Sequence, residues 1–220
     1  MNIYTIHSYS HSKLFDLFQK QLKKTGSWYR LIAKETEQFG DGNYPGTVDF
    51  WRLNIEYFLE ICEKEKYPFL YLDCDVMVLR DPTAELEYVL GTRDFVAQFD
   101  KYFCKIKPMV CTGIMYINPT DNTKRMFEWM LKRIEHYGYD QKALNYYLLY
   151  SRKIKWGTLP RTYYSINFDN GNKVWDGKSD LQVKKRDYNM VHLNWTIGTN
   201  NKLKLWKEIE RRIQNNSCLG

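Results

Sequence analysis

With 220 residues, 44% of them hydrophobic and 27% charged, the chain has the length and composition of one soluble globular domain with a sizeable core. No run of 18 apolar residues occurs, which excludes a helical membrane span, and the net charge of +7 is scattered, favouring an anionic partner without pointing to nucleic acid. The five cysteines, Cys62, Cys74, Cys104, Cys111 and Cys218, form an odd set without a CxxC pair, read as reduced thiols of a cytoplasmic protein and not as a zinc site.

Ile3 to His7 is a short apolar run with strand character, followed by the polar loop Ser8 to Ser12. No charged and then apolar leader precedes it, so no secretory signal is expected. Lys13 to Lys24 carries Leu14, Phe15, Leu17, Phe18 and Leu22 at helical spacing. Trp28 to Ala33 reads as a second strand, and Gly40 to Gly46 as a loop by its glycines and proline. A strong amphipathic helix is expected over Val48–Lys64. Tyr67 to Leu72 and Val76 to Leu79 are apolar runs of strand type on either side of Asp73-Cys74-Asp75. Asp94–Phe99 and Gly113–Ile117 are further strand candidates. Helices follow over Asn122–His136 and Gln141–Tyr150, and Asn201–Gln214 reads as a basic amphipathic helix. Short apolar strands alternating with longer helices predict an α/β fold with a mostly parallel sheet. The polar end, Asn215 to Gly220, would suit one piece of a longer polypeptide.

A DxD triplet arises by chance about once in a chain of this size at ordinary composition. Placement makes this one informative. In an open α/β sheet the ligand crevice lies at the carboxyl ends of the strands, where Leu70-Tyr71-Leu72 would deliver Asp73 and Asp75. Two carboxylates there are costly without a cation, and a hard divalent ion with phosphate oxygens completing its shell would neutralise them. The competing reading is a strand-end turn in which one aspartate caps backbone amides.

The run Leu70-Tyr71-Leu72-Asp73-Cys74-Asp75-Val76-Met77-Val78-Leu79-Arg80-Asp81-Pro82 resembles the signature of nucleotide-diphospho-sugar transferases of the GT-A fold. Four other segments resemble the family's in order: Phe50-Trp51-Arg52-Leu53, Cys111 to Asn118, Tyr139 to Asn145, and Val191-His192-Leu193-Asn194-Trp195. The likeness runs from Thr5 to Trp206 and is nearest the retaining subfamilies. It implies a single Rossmann-like domain over 1–220 that moves a sugar from a nucleotide diphosphate, with UDP the expected nucleotide, to a glycan or small hydroxyl acceptor. Two departures stand out. Gly198 lies six residues after His192, so either Lys202 or Lys204 is the phosphate lysine, and the acceptor-facing C-terminal extension of relatives is short or absent.

What the resemblance implies residue by residue is as follows. Asp75 and His192 would hold Mn2+ (or Mg2+), with Asp73 on the metal or on the donor's ribose, the imidazole favouring manganese; a core histidine is the alternative for His192. Thr5, His7 and Tyr9 would receive the base and ribose, an ordinary turn being the alternative. Arg52 would contact the diphosphate or sugar, unless it is tied in a helix-surface ion pair. Gln98 would contact the donor and Asp100 the sugar hydroxyls, a strand-end cap being the alternative for Asp100. Gly113 would admit the sugar closely, a plain packing glycine being the alternative, and Lys202 and Lys204 would grip phosphate unless they are merely solvated lysines of a basic helix. Asp140 would bind the sugar, or else cap its helix, and Gln141 would face the side opposite the leaving group.

Three other functions compete. A sugar-nucleotide pyrophosphorylase would want a glycine-rich basic loop after the first strand, and Ser8 to Ser12 has no glycine. A basic, aromatic-rich nucleic-acid module would bind oligonucleotide with steep salt dependence. A silent relative kept for binding is disfavoured by the intact metal set.

Overall fold

Strict alternation along the strands explains the layering. Ile3, Leu70, Leu72, Val96, Ile114 and Tyr116 join one buried cluster, whereas Tyr4, Ile6, Phe69, Tyr71, Phe95, Ala97, Met115 and Ile117 join another. Neighbours in sequence fall on opposite faces, so one sheet carries a core on each side. The computed structural model describes residues 1–37, 47–103, 107–166, 175 and 187–217. The loop read over Gly40–Gly46, and Cys104 and Cys218, lie outside them.

The elements in chain order are β1 (Asn2–Ser8), a 3-10 turn (Tyr9–His11), α1 (Ser12–Lys24), β2 (Arg30–Thr36), α2 (Thr47–Lys64), β3 (Phe69–Leu72), β4 (Val76–Val78) and α3 (Thr83–Leu90). Then come β5 (Phe95–Phe103), β6 (Lys107–Ile117), α4 (Asp121–Leu131), α5 (Ile134–Tyr137), α6 (Asp140–Tyr150), β7 (Trp156–Thr158), β8 (Tyr163–Ser165), β9 (Met190–His192) and α7 (Thr199–Ser217). Among the described residues the main sheet has six strands in the order β2-β1-β3-β6-β5-β7. Its β1–β2, β1–β3 and β5–β7 pairs are parallel, and β6 runs antiparallel to both neighbours. A second sheet has the order β4-β9-β8.

Helices α1, α3 and α7 pack on one face through Leu14, Phe18, Leu22, Leu86, Leu90, Leu205, Trp206 and Ile209. On the other, α2, α4 and α6 pack through Phe58, Phe127 and Leu144, with Phe58 edge-on to Tyr71 at 4.6 Å. Among the described residues no helix is long and apolar enough to cross a membrane.

Three element readings need correction. The helix expected over Asn122–His136 is two, α4 and α5, because the chain tightens at Arg133, whose N–H donates to the Met130 carbonyl at 3.0 Å. The second strand starts at Arg30 and not at Trp28, whose indole Nε1 is held by Thr25 Oγ1 at 3.0 Å in the preceding turn. The strand read over Gly113–Ile117 begins at Lys107. Its pairing with β5 jumps from Ala97↔Met115 to Gln98↔Cys111, so a bulge sets residues 112–114 apart from β5.

Candidate active site

Three chain segments meet where β3 ends. Leu72 pairs with Ile114, and one step further the Asp73 N–H donates to the Gly113 carbonyl at 2.8 Å. The chain turns through Cys74 and re-enters as β4, where Val76 pairs with His192 of β9. Asp73 and Asp75 thus sit at the lip of the main sheet, with His192 brought in from the small one. His192 Nε2 lies 3.1 Å from Asp75 Oδ1 and 3.7 Å from Asp73 Oδ2. One ligand atom from each residue fits within a 4.8 Å span.

The chemistry of this set fits a divalent ion. Asp75 Oδ1 is buried yet meets no hydrogen-bond geometry, although an imidazole nitrogen is 3.1 Å away. The two atoms are adjacent without being aligned on each other, as ligands sharing an ion are. Neighbouring ligands on an octahedral ion with bonds of about 2.1 Å stand about 3 Å apart.

Two cationic groups balance the carboxylates. Lys202 Nζ reaches Asp75 Oδ2 at 3.0 Å from the first turn of α7. Burial opposes ionisation of Asp75, but Lys202 and His192 hold its carboxyl well below the usual range. Burial pulls His192 down, and the Asp75 charge more than reverses this, raising it well above an ordinary imidazole.

Gln98 decides which imidazole nitrogen is offered. Its Nε2 donates to the Tyr163 carbonyl at 3.2 Å. A carbonyl can only accept, so Oε1 is the atom that faces His192 Nδ1, at 2.7 Å. Nδ1 therefore carries the hydrogen that Gln98 holds, and Nε2 is the nitrogen turned to the carboxylates, the one whose proton a metal ion would replace. Gln98→Leu is expected to weaken Mn2+ binding by about 10- to 100-fold, whereas Gln98→Glu, which keeps an acceptor, retains most of it; equal affinities by titration calorimetry would contradict this.

Gly113 is required by space. A Cβ there would stand 2.2 Å from His192 Cε1 and 2.6 Å from Asp73 Oδ2. Only a residue with no side chain lets β6 lie under both groups.

A second polar network lies beside the first. Asp100 is buried and accepts from Gln141 Nε2 and Trp195 Nε1, both at 3.0 Å. Asp140, also buried, accepts from the Gln141 N–H at 2.6 Å and from Asn54 Nδ2 at 3.3 Å. Burial and then the nearby Asp73 charge push its carboxyl up to about 7. Asn145 pins α6 against β6 through both its amide atoms, to Val110 N at 2.8 Å and Val110 O at 2.7 Å. Trp195 is the one described non-glycine residue with positive φ, +60°, a strained conformation kept by its neighbours. Its carbonyl accepts from Trp175 N at 2.8 Å, and its indole is fixed on Asp100.

Ile6, His7, Ser8, His11, Phe50, Trp51, Asp73, Asp75 and Lys202 line a cleft at the end of β1. Thr5 Oγ1 and His7 Nδ1 are buried without hydrogen-bond partners, and His7 stacks on Phe15 with centroids 4.0 Å apart. Tyr9, 56% exposed, sits between the lining residues Ser8 and His11.

Two residues stand apart from this cleft. Arg52 is held by Glu135 at 2.6 Å across α2 and α5 and is not among the lining residues. Lys204 is exposed, because two residues along a helix lie on opposite sides. Sequence reasoning assigned no role to Asn54, Trp195, Lys101 or Lys142. Asn54 left a trace, a polar residue between Leu53 and Ile55 on an apolar helix; Trp195 left none.

A family model described as nucleotide-diphospho-sugar transferase matches residues 18–205. No curated protein matches the chain. Among solved structures, the chain is similar to the galactosyltransferase LgtC in complex with donor and acceptor sugar analogs, with a TM-score of 0.59 and 15% identity over 87% of this chain and 86% of that one. A glycosyltransferase involved in the glycosylation of the major capsid of PBCV-1 gives a TM-score of 0.64 at 12% identity, covering 94% and 98%. The glycosyltransferase GlyE of Streptococcus pneumoniae TIGR4 gives 0.60 at 14%, covering 98% of this chain and 63% of that one. At these identities the likeness shows the fold, which is the expected GT-A arrangement.

Proposed function

The chain belongs to the nucleotide-diphospho-sugar transferase family, and from that premise we propose that it is a retaining glycosyltransferase using a UDP-sugar and a divalent cation, Mn2+ (or Mg2+). The observation that carries the reading is the convergence of Asp73, Asp75 and His192 within 4.8 Å above a position where only glycine fits. The ion, when bound, supplies Lewis-acid neutralisation of the charge that develops on the departing diphosphate.

The chain's own residues divide the remaining work. Thr5, His7 and Tyr9 receive base and ribose, since two of the three present buried, unpartnered polar atoms at the end of β1. Lys202 is the phosphate lysine of the two candidates, being already drawn to Asp75. Gln141 Nε2 is occupied by Asp100, so its carbonyl Oε1 is left to steady positive charge on the sugar. Asp100 acts through that amide, and Asp140 takes sugar hydroxyls. In the transfer step the acceptor oxygen bonds to the anomeric carbon as the bond from that carbon to the diphosphate oxygen breaks. The acceptor's proton leaves on the departing diphosphate.

Competition calorimetry with Mn2+ present tests the donor. UDP is expected to displace a fluorescent UDP analogue at least tenfold more effectively than ADP or GDP, and chelator is expected to abolish the binding. Equal displacement by all three nucleotides would leave only a diphosphate site, and chelator-insensitive binding would remove the metal.

A further inference from the structure

Beyond the metal group lies a second cleft, of about 240 Å³, lined by Lys101, Met109, Tyr139, Gln141, Lys142, Asn194 and Trp195. That is room for a ligand and not for one water of about 30 Å³. Two chain segments tie it to the metal group. On β5, Gln98 touches His192 and Lys101 follows three residues later; after β9, Asn194 and Trp195 follow His192 by two and three. Gln141 forms part of its wall. Resting on the transferase reading above, this is where the acceptor hydroxyl would enter.

The lining is charged in one sense only. Among the described residues it holds two lysines and no carboxylate. Two acids neighbour lining residues in the chain, and both are buried and bonded: Asp100, with one oxygen on Gln141 and the other on Trp195, and Asp140, on the Gln141 N–H and Asn54. Neither Lys101 nor Lys142 makes an ion pair among the described residues. Lys101 instead lies over the Trp195 ring, its Nζ 4.9 Å from the centroid, which fixes one ammonium at the cleft wall. Two like charges facing one space repel unless an anion joins them. Tyr139, 45% exposed at the rim, adds a second flat face beside the indole, suited to a sugar ring.

We propose that the acceptor is an anionic sugar, bearing a carboxylate or a phosphate group that Lys101 and Lys142 hold while Trp195 and Tyr139 flank its ring. Charge-assisted hydrogen bonds from two ammonium groups would then set acceptor choice, and a neutral sugar of the same shape would leave both unpartnered.

Ligand-observed NMR on the full chain tests this with three probes: a methyl hexoside, the matching methyl hexuronide, and the hexose 6-phosphate, with Mg2+ and UDP present. Either anionic probe is expected to bind at least tenfold more tightly than the neutral one, and the better of the two identifies the anionic group. The preference should collapse in the double variant Lys101→Gln/Lys142→Gln, return with Lys101→Arg/Lys142→Arg, and weaken as salt rises. Melting temperatures near that of the parent establish that the variants fold. Equal binding of all three probes, or a preference that survives in the double glutamine variant, overturns the proposal. UDP affinity is read separately in the same samples: its absence sinks the donor reading, while the probe preference still decides the charge of the acceptor.

Discussion

Gly113→Ala is expected to lower Mn2+ affinity by about 100-fold or more and to reduce transfer to background while leaving a folded protein. The added Cβ would sit 2.2 Å from His192 Cε1 and 2.6 Å from Asp73 Oδ2, well inside contact distance, so something must move. His192 is buried on every side, with Gln98 Oε1 at 2.7 Å from its Nδ1 and Cys111 Sγ at 3.8 Å. The imidazole cannot retreat without breaking the bond that orients it. Asp73 can swing outwards, but then leaves the shared point. Displacing positioned groups by about 1 Å costs on the order of 10²-fold in rate. The overpacking itself costs about 1–3 kcal/mol of stability, which the two-faced core absorbs. Melting and Mn2+ titration on the same sample separate the effects. A variant that binds Mn2+ as the parent does would show that Gly113 serves ordinary packing and that the ligand geometry is wrong.

The second large effect belongs to Gln141. Its Nε2 is tied to Asp100 at 3.0 Å, and Gln141 lines the cleft where the acceptor is proposed to enter. An interaction made only in the transition state alters turnover and not binding. Gln141→Ala is therefore expected to keep UDP affinity within about twofold of the parent and to slow transfer by about 10²-fold or more, roughly 3 kcal/mol. Loss of the Asp100 partner would also lower stability by about 1 kcal/mol. Transfer at the parent rate would remove Gln141 from the chemistry.

How much of this was legible in the sequence depends on what kind of signal each feature leaves. Periodicity marked the helices α1, α2 and α6 and the apolar strand before Asp73, because burial of one face writes a repeat into the chain. The meeting of Asp73, Asp75 and His192 was legible through the ordered motifs, since each occupies a strand end that the fold brings to one crevice. The second sheet was not: β8 and β9 have three residues each, too short for alternation to register. Nor was the jump in β5–β6 pairing, which re-aims Gln98 and Asp100; the sequence placed Gln98 at the donor, while the structure puts it behind His192. Arg52 and Lys204 sit in segments that were read correctly as helices, yet helical phase and a chance partner, Glu135, decide where their side chains go. The positive φ of Trp195 has no sequence signal, because tryptophan gains nothing there except through the tertiary contacts that hold it.

In the proposed reading one ion would join the protein's Asp73, Asp75 and His192 to a nucleotide diphosphate. Pulsed electron paramagnetic resonance of bound Mn2+ with UDP reads that joint directly. One imidazole 14N coupling is expected together with 31P couplings from UDP, with the 14N signal lost in His192→Ala. Mn2+ that shows only water protons in the presence of saturating UDP, or a 14N coupling that persists in His192→Ala, would contradict it.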